Sequence, residues 1–202
     1  MNATTLDVGT LAGRLIGREG LRGLAARIAL VVAGAALLTI AAKIKVPFYP
    51  VPMTLQTLAI FFIGATLGAR LGALSVILYV AEGLMGFPVF TNTPPAVAGP
   101  AYLMGPTGGY LLGFLMAALI VGNAARRGLD RSVWRFAIIL GMADVVLFAC
   151  GLSWLMISLG IGVHRAVQIG LLPFLPGEVL KIAVAAFAMP LLWQATARLR
   201  RS

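Results

Sequence analysis

Leu171-Leu172-Pro173-Phe174-Leu175-Pro176-Gly177-Glu178-Val179-Leu180-Lys181 sets a carboxylate and an ammonium three residues apart at the head of an apolar segment that continues to Trp193. Lipid tolerates such a pair only where it is buried against protein, neutralised internally or met by a ligand. The rest of the chain supports the membrane setting. It has 202 residues, of which 60% are hydrophobic and 11% charged. A soluble domain of this size has no interior large enough for that much apolar surface. At roughly 20 residues per helical span, six crossings fit the length. The expected class is an all-α integral membrane protein, a compact bundle of six transmembrane helices.

Working outward from Glu178, the last span is expected over residues 177–196, followed by a basic tail at 198–202. Before it come a loop with His164, Arg165 and Gln168, and a span over 133–158. Arg126-Arg127-Gly128-Leu129-Asp130-Arg131 is a charged turn, preceded by a span that starts at Pro106, a good first helical residue, and ends near Asn123. Residues 90–105 read as a long uncharged loop. Spans over 53–69 and 71–89 meet in a tight turn at Gly68-Ala69-Arg70. The first span, 24–44, is followed by Pro47-Phe48-Tyr49-Pro50-Val51-Pro52, whose three prolines exclude regular helix. Residues 1–23 carry Arg14, Arg18 and Arg22 at four-residue spacing, with Leu11 and Leu15 on another face. They read as a basic amphipathic segment on an anionic leaflet, not a signal peptide. The membrane domain is thus 24–197.

The basic residues orient this scheme. Arg14, Arg18, Arg22, Arg27, Arg70, Arg126, Arg127, Arg131, Arg135, Arg198, Arg200 and Arg201 fall on one side, and Lys43, Lys45 and Arg165 on the other. A split of 12 to 3 puts both termini in the cytoplasm. The proline-rich loop and Glu178 then face outside. The net charge of +10 is spread between apolar segments, so nucleic acid is not an expected partner. A single cysteine, Cys150, excludes an internal disulfide.

Polar residues within the spans are few: Gln56, Glu82, Asp144, Glu178 and Lys181, with Asn123 near a cytoplasmic end. Gln56, Glu82, Glu178 and Lys181 fall in the outer half of the membrane, beneath the loop that carries Asn92. That placement predicts an outward-opening pocket for a small ligand. Spacing of three puts Glu178 and Lys181 on one helix face, as an internal ion pair or as an acceptor and a donor for a ligand. Phe48, Tyr49, Phe90, Leu103 and Tyr110 are the candidate apolar walls. Asp144 reads chiefly as an interhelical hydrogen-bonding group.

Gly105-Pro106-Thr107-Gly108-Gly109-Tyr110 lacks the Lys-Ser/Thr ending of a phosphate-binding loop, and no such loop occurs elsewhere, so the chain itself does not hydrolyse ATP by that mechanism. Close helix packing, continued by Gly113, is the expectation there. Ala25, Ala29 and Ala33 form a small-residue stripe, for packing within the bundle or for docking another membrane protein. An intramembrane protease would need a serine–histidine pair or two aspartates. His164 lies in a loop and Asp144 is the only aspartate in a span, so neither arrangement is present.

Five strings in order carry a family resemblance: Pro50-Val51-Pro52-Met53-Thr54-Leu55-Gln56-Thr57-Leu58-Ala59, Leu67-Gly68-Ala69-Arg70-Leu71-Gly72-Ala73-Leu74-Ser75, Gly86-Phe87-Pro88-Val89-Phe90, Gly105 to Phe114, and Pro173 to Lys181. From about residue 28 to 190 the chain resembles the BioY family, biotin-specific S components of energy-coupling-factor (ECF) transporters. The resemblance implies a six-helix protein of the cytoplasmic membrane that captures biotin from outside. It implies a transmembrane coupling (T) subunit and ABC-type ATPases as partners, which alone use ATP, so no cofactor or metal is expected on this chain. Another vitamin, such as thiamin or riboflavin, is the alternative substrate, and self-association stays open. By resemblance the ligand residues map onto Glu178 and Lys181, then Asn92, with Gln56, Glu82 and Tyr110 alongside. The docking motif maps onto Ala25, Ala29 and Ala33. Glu178 stands where the family commonly has aspartate.

Overall fold

The protein was analysed as a computed structural model that describes residues 9–15, 21–93 and 98–199. Its elements are α1 (Leu11–Leu15), α2 (Leu21–Lys43), β1 (Lys45–Val46), β2 (Met53–Thr54), α3 (Gln56–Leu84), α4 (Pro100–Met104), α5 (Gly108–Arg126), α6 (Val133–Leu159), α7 (Val163–Gly170) and α8 (Leu175–Leu199). Among the described residues, five helices (α2, α3, α5, α6 and α8) are long and apolar enough to cross a membrane.

The longest of these is not one rod. Gly68 interrupts α3 with φ 82° and ψ 175°. Only glycine adopts that backbone region without strain. The chain folds back there: Gln56 Nε2 donates to Tyr79 Oη at 2.9 Å. In a straight helix, 23 residues of separation would hold them about 35 Å apart. Gly64 and Gly72 also meet, since a Cβ on Gly72 would lie 3.5 Å from the Gly64 Cα. The expected turn at 68–70 is thus present. The halves run 56–67 and 69–84, not 53–69 and 71–89.

Bundle packing depends on small residues. A Cβ on Gly113 would lie 2.7 Å from the Leu147 carbonyl, so α5 and α6 approach at backbone distance. The glycine-dense start of α5 therefore serves helix packing, as its sequence suggests. At the end of the bundle near the 126–131 turn, Trp193 Nε1 of α8 donates to Asp130 Oδ2 at 2.6 Å.

The proline-rich connection is non-helical as expected, and three other local expectations need correction. Val46 and Lys45 pair antiparallel with Met53 and Thr54, closing the proline-rich connection as a small hairpin. Its prolines sit in the loop, where no ladder donor is missed. Residues 90–105 are not wholly loop, because Gly99 caps the short α4. The segment around His164 is helical, as α7. At the N-terminus, Leu11 and Ala12 are buried in the common core rather than turned toward a leaflet. The side chains of Arg14, Arg18 and Arg22, and those from Arg198 onward, lie outside the described residues.

Candidate functional site

Helix α8 begins at Leu175, so Glu178 lies in its first turn. The helix dipole favours an anion there. Pro176 sits in the same turn, where its missing N–H costs nothing. Glu178 and Lys181 are 3% and 6% exposed. Lys181 Nζ reaches Glu178 Oε1 at 2.7 Å. Thr57 of α3 closes a triangle: it accepts from Lys181 at 2.9 Å and donates to Glu178 Oε1 at 3.1 Å. The triangle ties α8 to the first half of α3. One oxygen is left over. Glu178 Oε2 is buried and has no hydrogen-bond partner among the described residues. A buried carboxylate oxygen without a donor is costly. Glu178 lines a cavity, where a donor on a ligand would satisfy it.

That cavity is about 50 Å³. Its aromatic wall next to Glu178 comes from α5, α6 and the loop before α8. Tyr110 and Phe148 meet edge to face at 5.9 Å, and Phe148 and Phe174 at 5.8 Å. The Tyr110 hydroxyl is held by the Gly170 carbonyl at 2.8 Å, which leaves the ring face to the cavity. A second polar group lines the cavity from α3 and the loop after it. Gln56 Oε1 accepts from Thr54 and Thr91, each at 3.2 Å, while its amide nitrogen bonds Tyr79.

The structure brings together Gln56, Tyr110 and Glu178 as cavity-lining residues, with Lys181 directly behind Glu178. It does not bring in the rest. Asn92 is half-buried off the cavity, with Oδ1 2.9 Å from Lys45 Nζ, and its neighbour Thr91 faces inward instead. Glu82 is half-buried and does not line the cavity. Of the expected apolar walls only Tyr110 serves. Tyr49 is 93% exposed, and Phe48 lies outside the lining, packed edge to face on Phe174 at 6.1 Å. Phe90 is fully buried, stacked on Tyr102 at 4.4 Å, and Leu103 lines a separate groove. Asp144 is buried on α6 and also lies outside the lining. Ala25, Ala29 and Ala33 are all exposed on α2, away from the bundle.

Thr57, Thr91, Phe148 and Phe174 were not singled out in the sequence. Thr57 adjoins Gln56 in a quoted motif, which was a usable signal. Phe148 lies in a uniformly apolar stretch, where nothing distinguishes a wall from a lipid-facing ring, whereas Phe174 lies four residues before Glu178 in the stretch that carries the charged pair, which is a usable signal.

Lys43 and Lys45 have a further role beyond charge placement. Lys43 Nζ donates to the carbonyls of Pro88, Phe90 and Thr93 at 2.7, 2.7 and 2.5 Å. Lys45 adds the Thr91 carbonyl at 3.2 Å. All three ammonium donors of Lys43 are thus spent on one loop, the loop that presents Thr91 to the cavity. Lys43→Met should raise amide hydrogen exchange across residues 86–93 by about tenfold or more, with α5 and α6 unchanged. Unaltered exchange in that segment would show that the loop holds itself.

A helical membrane bundle with a buried, half-satisfied carboxylate facing an aromatic cavity belongs to the class of membrane solute-binding proteins. The BioY family model matches residues 12–198, and the chain belongs to the BioY family. It is 36% identical over 152 residues to the biotin transporter BioY of Thermotoga maritima, covering 75% of this chain and 86% of that one. It is 35% identical over 161 residues to the probable biotin transporter BioY of Pyrococcus horikoshii, covering 80% and 92%. A solved S-component for biotin from an ECF-type ABC transporter superposes with a TM-score of 0.74 at 25% identity, covering 91% of this chain and 95% of the other.

Proposed function

We propose that this chain captures biotin at the outer face of a prokaryotic cytoplasmic membrane, as the S component of an ECF-type ABC transporter. It is a transport protein, not an enzyme. The observation that carries the reading is the free Glu178 oxygen on an aromatic-walled cavity. Biotin offers two ureido N–H donors, a ureido oxygen, a fused ring with sulfur, and an aliphatic carboxylate. A ureido N–H satisfies Glu178 Oε2, whereas the ligand carboxylate would be repelled there. The ureido end therefore goes to Glu178 and Lys181, the rings between Tyr110, Phe148 and Phe174, and the carboxylate toward Gln56, Thr91 and the Asn92–Lys45 pair. Glu82 has no part in this arrangement.

The cavity is smaller than the roughly 300 Å³ at the low end of small-molecule pockets. Binding therefore requires the lining to move outward.

In this reading the bend at Gly68 turns α3 back on itself, so that its two halves, about 18 and 24 Å long, complete two crossings only together with their flanking loops, since the hydrocarbon core is about 30 Å thick, and with the other four long helices they make six. With an even number of crossings and the arginine bias, both termini are cytoplasmic. ATP is used by partner ATPase subunits, and a T subunit docks on the exposed Ala25, Ala29 and Ala33 face. Purified protein should show saturable, submicromolar binding of radiolabelled biotin that thiamin and riboflavin do not displace. Displacement by thiamin or riboflavin, or no saturable binding, would overturn the assignment. Ala29→Trp should abolish copurification of the T subunit and leave biotin affinity within about twofold, since a bulky ring blocks close helix approach without touching the cavity. Undiminished copurification would place the docking face elsewhere.

A further inference from the structure

Helix α2 touches the bundle unevenly. Its second half buries Ala35, Leu38, Ala41 and Ala42. Its first half leaves Leu24, Ile28 and Val32 about half exposed or more, at 55%, 56% and 50%. The two helices meet where Gly34 faces Ser75, since a Cβ on Gly34 would collide with the Ser75 side chain. Between them lies a cleft of about 660 Å³, with Leu74 and Ile77 on the α3 side. Two arginines line it, Arg27 from α2 and Arg70 from the start of the second half of α3. Both lie toward the ends of their segments on the cytoplasmic side. Neither has a hydrogen bond or ion pair among the described residues, and no carboxylate lines the cleft.

We propose that this cleft holds one anionic diacyl phospholipid, its phosphate between Arg27 and Arg70 and an acyl chain along Ile28, Val32, Leu74 and Ile77. A cleft between helices inside a bilayer is filled by something apolar, and two guanidinium groups on its lining, unpaired among the described residues, select a phosphate over a neutral headgroup. The volume falls within the range of about 300–1,000 Å³ typical of sites for small molecules. A docking helix of another subunit is the competing occupant. The alanine stripe points elsewhere, because Ala25, Ala29 and Ala33 each sit one residue, about 100°, around α2 from Leu24, Ile28 and Val32. Docking on the stripe leaves the cleft open to lipid, so lipid and T subunit are bound together.

The test is native mass spectrometry of the full chain, purified in a neutral detergent, with added palmitoyl-oleoyl phosphatidylglycerol or phosphatidylcholine. Wild type should retain one phosphatidylglycerol per chain, at least tenfold over phosphatidylcholine, and glycerol phosphate should not displace it. The R27Q/R70Q double variant should lose that preference. Leu74→Trp, which fills the cleft from a half-exposed position, should reduce retention of both lipids. Biotin binding should persist in every variant, which establishes that each is folded and keeps this outcome separate from the transport assignment. Equal retention of the two lipids, or an undiminished preference in R27Q/R70Q, would overturn the proposal. So would loss of T-subunit copurification in R27Q/R70Q with lipid retention intact, which would give the cleft to protein.

Discussion

Lys181→Ala should weaken biotin binding by about 2–5 kcal/mol, roughly 30-fold to several thousand-fold, the largest effect expected of any single substitution at the site. Lys181 is 6% exposed and holds both Glu178 Oε1 and Thr57 Oγ1. Its removal leaves a buried carboxylate without its cation. That carboxylate then lacks the contact that holds its position and no longer presents a fixed acceptor to a ureido N–H. Some of the loss will be in stability, because a buried charge without its partner is costly in itself. The double variant Glu178→Gln with Lys181→Met separates the two effects. Replacing both members of a buried pair restores much of the thermal stability, while the lost carboxylate keeps biotin affinity low. Equilibrium binding and a melting curve on the same preparations decide the matter. A Lys181→Ala protein that binds biotin within threefold of wild type would remove Lys181 from the site.

Gly68→Val should have the largest structural effect. Its backbone, at φ 82° and ψ 175°, lies in a region that a β-branched residue reaches only with strain of about 1–3 kcal/mol. Packing adds to that cost. Helix α5 meets this bend at Gly122, where even an added Cβ would collide with the backbone of Gly68 and Ala69. A shifted bend would therefore push α5 away. It would also pull Gln56 and Thr57 out of register with Tyr79 and Glu178. The melting temperature of the purified protein should fall by more than about 5 °C, at a scale of about 2–4 °C per kcal/mol for a chain of this size. Gly141→Ala is the control, since a Cβ there has nothing within 4 Å and alanine is the better helix former. A Gly68→Val protein melting within 2 °C of wild type would show that the bend does not depend on glycine.

Much of the fold is legible in the sequence. The Gly68-Ala69-Arg70 turn was marked by its glycine, and the structure puts the break there. Glu178 and Lys181 stood out because charge is rare in apolar helices, and they are indeed paired and buried. The walls of the cavity were read less well. Phe48, Tyr49 and Phe90 are plausible by type, yet Phe90 is buried in the core, Tyr49 is exposed, and Phe48 backs the wall residue Phe174 without lining the cavity. Loop position says little about where an aromatic ring points, and that direction decides whether it forms a wall.

The chain's sequence alone determined the membrane setting, the order of its spans, the bias of its arginines and the helix face shared by Glu178 and Lys181. Those are properties of composition and short-range spacing, which a chain carries whatever its tertiary contacts. Only the tertiary structure decided that Thr57 completes the Glu178–Lys181 triangle, from 121 residues away in the chain from Glu178. It alone decided that Thr91 rather than Asn92 faces the cavity, and that Lys43 spends all its donors on the loop. It also left one carboxylate oxygen of Glu178 without a partner among the described residues. The physical reason is that hydrogen-bond satisfaction depends on directions and distances between segments remote in sequence, and residue type and spacing encode neither.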